Sequence, residues 1–203
     1  MRHALDAAEP TRHALLALLL DGPCHGYLLA QQFGPSSALG DVVHLSPSHI
    51  YALLGRLERN GLVEGERQES GARPLRRVYR LSEAGRAAVD CWIDEPVLRP
   101  RDMHLDFPLK LYAARRLDPA RAASLIRRQR DVFLAYLDSL EHETLPPDDH
   151  PDDHADAAFI ALMREGRITR TRAALQWLDR CAAAFAAETT VVAGQRSTGG
   201  GAR

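Results

Sequence analysis

The sequence has little of what a disulfide-stapled domain, a membrane protein or an enzyme requires. Its three cysteines, Cys24, Cys91 and Cys181, are odd in number and widely spaced. They make neither a disulfide framework nor a metal-ligand cluster, and a reducing cytosol fits them best. The longest apolar run, residues 14–20, falls far short of the ~20 residues that a membrane span needs. Met1-Arg2-His3-Ala4-Leu5-Asp6 has no signal-peptide anatomy. There is no glycine-rich phosphate loop, nucleophile elbow or His-Glu-x-x-His motif, so neither catalysis nor a cofactor is expected. Lysine is nearly missing: Lys110 is the one lysine among 26 basic residues. The net charge of −1 excludes a polycation. Any nucleic-acid reading must therefore rest on how the charge is distributed.

What is present centres on residues 45–80. Ser46 is a good helix N-cap, Pro47 suits the first helical position, and Asn60-Gly61 supplies a left-handed stop. Between them Ile50, Leu53, Leu54 and Leu57 recur at i, i+3, i+4, i+7 and form one apolar face. The opposite face carries Ser48, His49, Tyr51, Ala52, Arg56 and Arg59. It is hydrogen-bonding at its start and cationic at its end. Two β-prone runs follow, 62–68 and 76–81, joined by the turn-rich Ser70-Gly71-Ala72-Arg73-Pro74. Residues 67–86 hold Arg67, Arg73, Arg76, Arg77, Arg80 and Arg86 against only Glu69 and Glu83. A groove-sized helix followed by a cationic hairpin reads as a winged helix-turn-helix, the helix for the major groove and the wing for flanking phosphates.

The rest of the chain reads as mainly α. Thr11 can cap a helix to about Leu20, stopped by Asp21-Gly22-Pro23. A second helix spans about 26–33 and ends at Gly34-Pro35-Ser36-Ser37, which makes the helix from Pro47 the third. Ser82-Glu83-Ala84-Gly85 caps a fourth through Trp92. Glu95-Pro96 and Arg99-Pro100 mark a linker. Beyond it come a short helix over 108–116 and a long one opened by Asp118-Pro119 and running to about 142. Along the long one Ala122, Ile126, Gln129, Phe133, Tyr136 and Leu140 keep the a/d rhythm of a coiled-coil seam. A polar loop carries Asp148, Asp149, His150, Asp152, Asp153 and His154. A final helix over about 155–191, with Phe159, Leu162, Met163, Ala173, Trp177, Cys181 and Phe185 to one side, would span roughly 50 Å. That is too long for the second half of one chain to cover, so a helix of a second subunit is expected to bury it. The expected domains are a winged helix-turn-helix over 1–95, a helical dimerisation domain over 96–192 and a disordered tail over 193–203.

These residues resemble the PadR family of bacterial transcriptional regulators. The matching stretches are His25-Gly26-Tyr27-Leu28-Leu29, Leu45-Ser46-Pro47, Ile50-Tyr51-Ala52-Leu53-Leu54, Arg56-Leu57-Glu58 and Gly61-Leu62-Val63, then Arg76-Arg77-Val78-Tyr79-Arg80-Leu81 and Glu83-Ala84-Gly85. They cover about residues 11–92, and Phe107-Pro108-Leu109-Lys110-Leu111 extends the likeness more weakly. The resemblance implies a homodimer joined by its C-terminal helices, each subunit offering one winged helix to a half-site of a pseudo-palindromic operator. It also implies repression relieved by a small molecule.

Each candidate residue has a plain alternative. Ser46, Ser48, His49 and Tyr51 would meet base edges or phosphates of double-stranded DNA; Tyr51 could instead pack on the wing. Arg56 would reach a phosphate or a local carboxylate. Arg73, Arg76 and Arg77 would meet backbone phosphate or a minor groove, or else stand solvated, while Tyr79 reads as cross-strand packing. Trp92 and Trp177 would, on the family resemblance, line a pocket for a small aromatic effector at the dimer interface, or be ordinary packing. No metal is expected, because the loop that carries His150 and His154 has nothing rigid to converge those ligands, with His142 or without it. Cys24 is read as a buried or bystander thiol; because it precedes a helix, where a thiol pKa can be depressed, a redox switch is the alternative. A winged helix used only for protein contact is the competing function.

Overall fold

The computed structural model describes residues 8–68, 76–142 and 153–198. The chain is mainly helical with one small antiparallel sheet, and it divides into two compact units. The first comprises residues 1–95 and 104–118, the second residues 96–103 and 119–203. The chain thus crosses at 95/96, returns at 103/104 and crosses again at 118/119, where a single boundary at 95/96 was expected.

In the first unit, α1 (Ala8–Ala17) begins upstream of the expected start. Thr11 is accordingly not its cap but a buried position inside it. Pro10 is tolerated there because the first turn leaves its N–H groups unpaired anyway. The helix ends by tightening: Leu19 N–H bonds Leu16 C=O at 2.9 Å and Leu20 N–H bonds Ala17 C=O at 3.2 Å. β1 (Cys24–His25) leads into α2 (Gly26–Gln31). After the expected break at Gly34-Pro35-Ser36-Ser37 comes a short helix that was not expected, α3 (Ala38–Val42). Ser37 caps it, accepting from the Gly40 N–H at 3.0 Å, so the reading helix is the fourth and not the third.

That helix, α4 (Pro47–Arg59), has the ends its sequence dictates. Ser46 accepts from the His49 N–H at 3.3 Å. At the other end Gly61 takes φ +70°, Leu62 N–H reaches Leu57 C=O at 2.9 Å and Gly61 N–H reaches Glu58 C=O at 3.0 Å. Those two bonds are the Schellman closure. Ile50, Leu53, Leu54 and Leu57 are all buried. β2 (Val63–Gln68) and β3 (Arg76–Leu81) pair in the register Val63↔Leu81 to Gln68↔Arg76. β1 joins the free side of β3, with Cys24 opposite Tyr79, giving the order β1-β3-β2.

Two helices complete the unit. Ser82 caps α5 (Glu83–Asp94) by accepting from the Gly85 N–H at 3.0 Å, and donates to Gly61 C=O at 2.6 Å. α6 (Asp106–Leu117) packs against α1, α3 and α5. Its Phe107, Leu109, Lys110, Leu111, Ala113 and Ala114 are buried, a face wide enough to meet three neighbours at once. Its buried lysine is paired as burial requires: Lys110 Nζ donates to Glu95 C=O at 2.7 Å and lies 3.3 Å from Asp106. Arg116 pairs with Asp21.

The second unit holds residues 96–103, with a 3-10 turn at Pro100–Asp102, together with α7 (Pro119–His142) and α8 (Asp153–Thr198). The expected seam is largely buried: Ala122, Ile126, Gln129, Phe133 and Leu140, with Leu125 beside them. Its cover comes from the same chain. α8 runs antiparallel to α7, as the pairs Arg130–Asp179 at 2.9 Å and Glu141–Arg172 at 2.7 Å require. It buries Thr171, Leu175 and Leu178. At 46 residues α8 spans roughly 70 Å, about twice the length of α7. The face expected to carry its packing is the one left uncovered: Phe159 and Leu162 are 60% and 59% exposed, and Met163 and Trp177 are also exposed. The helix continues past its expected end at about 191, and into the expected tail, to Thr198. Residues 199–203 lie outside the described residues.

Candidate nucleic-acid interface

The outward face of α4 begins with a cluster of hydrogen-bonding groups. Ser46, Ser48 and His49 are exposed, and the Ser46 and Ser48 hydroxyls stand 3.0 Å apart. Tyr51 follows at 46% exposure. A Cβ placed on Gly26 would sit 2.9 Å from Tyr51 Cε1 and 3.1 Å from Tyr79 Cε2. The Tyr51 ring therefore packs in part against Gly26 of α2, while 46% of the residue stays exposed. Arg56 and Arg59 extend the exposed face toward its C-terminus.

The wing is partly described. Arg73 lies outside the described residues, and of Arg76 only the backbone, at the start of β3, is placed. Arg67 is exposed. Arg80 pairs across the strands with Glu64 at 2.5 Å. Arg77 is exposed yet paired: its guanidinium meets Glu58 Oε1 of α4 at 2.5 Å and lies 5.4 Å from the centre of the Tyr79 ring. Tyr79 itself is buried, in keeping with cross-strand packing. Glu58 and Gly65, which opposes Tyr79 in the hairpin, are the residues the sequence did not single out. The one available signal was a glycine inside a β-prone run, which marks close approach.

The two tryptophans fall in different units. Trp92 is buried, its indole N–H donating to Asp106 Oδ1 at 2.9 Å and its ring stacked on His13 at 5.3 Å. Trp177 is 38% exposed. Among the described residues no group of three or more His, Cys, Asp or Glu is placed to hold a metal ion. His142 sits beside Asp138 at 3.3 Å, His150 is outside the described residues, and the His154 side chain is not described. No helix among the described residues is long and apolar enough to cross a membrane.

Cys24 fits the bystander reading better than the redox switch. Burial pushes its thiol above the ordinary value, the opposite of what a reactive cysteine needs. Cys181 is raised by burial too, and Cys91 by the hydrogen bond and charge of Glu95. Alkylation of the folded chain at pH 7 with iodoacetamide should therefore be slower at all three sites than for glutathione. A Cys24 rate above the free thiol's would restore the switch.

A capped helix with a hydrogen-bonding outer face, backed by an arginine-bearing hairpin, defines a winged-helix protein. Residues 15–90 match the transcriptional regulator PadR-like family, and residues 104–186 match the virulence activator alpha C-terminal family. Over residues 15–90 the chain is thus similar to a family of transcriptional regulators. It is 28% identical over 185 residues to the probable transcriptional regulator Rv1176c of Mycobacterium tuberculosis, covering 85% of this chain and 96% of that one. It is 24% identical to the negative transcriptional regulator PadR of Bacillus subtilis, covering 83% and 93%. Among solved structures it is similar to Bacillus subtilis PadR in complex with operator DNA (24% identity, 86% of this chain and 98% of that one, TM-score 0.42). It is also similar to the Vibrio cholerae virulence activator AphA (22%, 87% and 98%, TM-score 0.35).

Proposed function

We propose that the chain is a homodimeric, sequence-specific DNA-binding repressor, acting in the cytoplasm and released from a pseudo-palindromic operator by a small aromatic effector. The observation that carries this is the outer face of α4, which keeps Ser48, His49, Tyr51 and Arg56 in solvent while its inner face is fully used in the core. A surface helix this polar at its N-terminus has the groups that base edges and phosphates accept. Repression is supported by the negative regulator among its relatives. Dimerisation is supported by the apolar stripe left open on α8, since a monomer seldom exposes such a patch. Of the two candidate effector residues, only Trp177 offers exposed aromatic surface. The effector would act by altering the spacing of two heads that must reach half-sites about one helical turn, ~34 Å, apart.

The test is a fluorescence titration of the chain against the DNA upstream of its own gene and against duplexes selected from a random library, repeated across salt concentrations. Specific binding should weaken steeply with salt as counterions are released. Arg56→Ala should weaken all sequences alike and reduce the salt slope by about 1, whereas Tyr51→Ala should change which bases are preferred, by about 1–3 kcal/mol. Exchange of these two effects between the variants would overturn the roles of Arg56 and Tyr51. A chain that recovers no duplex at all would be a winged helix used for protein contact.

A further inference from the structure

We infer that Glu58 and Arg77 form a brace that sets the angle of the wing against the reading helix, so that Arg77 is a positioning residue rather than a phosphate contact. This rests on the DNA-binding reading above. The brace joins two elements that chain connectivity alone leaves loosely oriented. Glu58 lies in the last turn of α4, Arg77 is the second residue of β3, opposite Arg67, and their side chains meet at 2.5 Å. The meeting point is built. Gly65 on β2 leaves the gap through which the pair passes: a Cβ there would stand 2.6 Å from Arg77 Nε and 2.9 Å from Glu58 Oε1. Beneath it the Arg77 guanidinium rests on the ring of buried Tyr79, whose edge abuts Gly26 of α2 alongside Tyr51 of α4.

Energy alone does not explain such a pair. Arg77 and Glu58 side chains are 42% and 29% exposed, and ion pairs this open to water add little to stability. What the pair supplies is direction, because a guanidinium held by a carboxylate on one side and an aromatic face on another has one orientation. The sign of the consequence separates this reading from simple electrostatics. Glu58 is an anion on the helix offered to a polyanion, so removing its charge should tighten DNA binding if charge were its only effect. As a brace, its loss should loosen the wing and weaken recognition.

The experiment uses the full chain and the tightest duplex recovered from the random library. Glu58→Gln should lower affinity for that duplex about tenfold, the size of one lost specific contact, leave binding to scrambled DNA unchanged, and keep the salt slope. Arg77→Gln should do the same, and the exchange of Glu58→Arg with Arg77→Glu should recover part of the loss. Tighter binding by Glu58→Gln, or a salt slope reduced by about 1 in Arg77→Gln, would overturn the brace and return Arg77 to phosphate contact. A second measurement stands apart from DNA. With the three native cysteines replaced by serine, spin labels at Ala52 and Glu66 should give a narrow distance distribution that Glu58→Gln broadens. An unchanged distribution would overturn the brace whether or not the chain binds DNA, and failure of all DNA binding with a broadened distribution would sink only the DNA reading.

Discussion

Gly85→Ala is expected to lower the thermal midpoint of the chain by roughly 6–12 °C, corresponding to about 3 kcal/mol in a protein of this size. The direction is the reverse of the usual one. Alanine in a helix is favoured over glycine by about 1 kcal/mol, and Gly85 sits in the first turn of α5. Here, however, a Cβ would lie 2.0 Å from the Leu62 carbonyl oxygen and 3.0 Å from its carbon. That obstacle is backbone, and it is pinned: Ser82 N–H donates to the same carbonyl at 3.1 Å, and Leu62 N–H closes the end of α4 on Leu57. To admit one methyl group, α5 must withdraw from the junction between the reading helix and β2, undoing the Ser82 bonds as it goes. Gly55→Ala supplies the control of opposite sign. Its Cβ would meet only Arg59 at 3.5 Å, an ordinary contact, so that substitution should stabilise by about 0.5–1 kcal/mol. Differential scanning calorimetry of the two variants decides the matter; equal midpoints would mean that α5 is free to shift.

The contrast between these glycines shows which parts of the structure were legible in the sequence. The ends of α4 were, because each signal acts within one turn: the Ser46 hydroxyl, the proline at the first helical position, and the left-handed Gly61. So was its buried face, since a period of 3.6 needs no knowledge of the partner. What depends on distant chain was not. β1 is two residues long and exists only because β3 offers a free edge. α3 is five residues long, too short to show a period, and packs against α6, far along the chain. α6 follows a proline-marked linker yet folds back into the first unit, where its wide buried face meets α1, α3 and α5. On α7 the a/d rhythm announced a seam without saying whose helix fills it. α8 of the same chain does, and it uses Thr171, Leu175 and Leu178 in place of the bulkier stripe that the sequence made conspicuous. Arg77 was legible as a cation, but its pairing with Glu58 depends on a gap in a neighbouring strand.

Gln129→Leu carries the second large effect, a loss of about 2–5 kcal/mol from two buried groups left unpaired. Gln129 is the polar member of the α7 seam and is fully buried. Its Oε1 accepts from the Val97 N–H at 2.6 Å and its Nε2 donates to the Val97 carbonyl at 2.7 Å. One side chain thus completes both backbone groups of a residue that belongs to no helix or strand, and it holds the 96–103 segment on α7. Leucine fills nearly the same volume and returns apolar contact, yet it leaves a donor and an acceptor dry, and desolvation outweighs the added burial. Gln129→Glu separates the two bonds. A carboxylate still accepts from the N–H but cannot donate, and burial should raise the folded-state pKa of the new group above its usual ~4.3. A raised folded pKa gives stability that is fully present below the unfolded value and is lost as pH rises through the folded one. The glutamate variant should therefore lie closest to the parent chain in mild acid and fall furthest behind it at neutral pH. Urea denaturation midpoints of the parent and both variants at about pH 5 and about pH 7.5 would show this. A gap between parent and glutamate variant that does not change with pH, or a leucine variant as stable as the parent, would mean that the 96–103 segment is held by its apolar contacts, Val97 and Met103, and not by the amide.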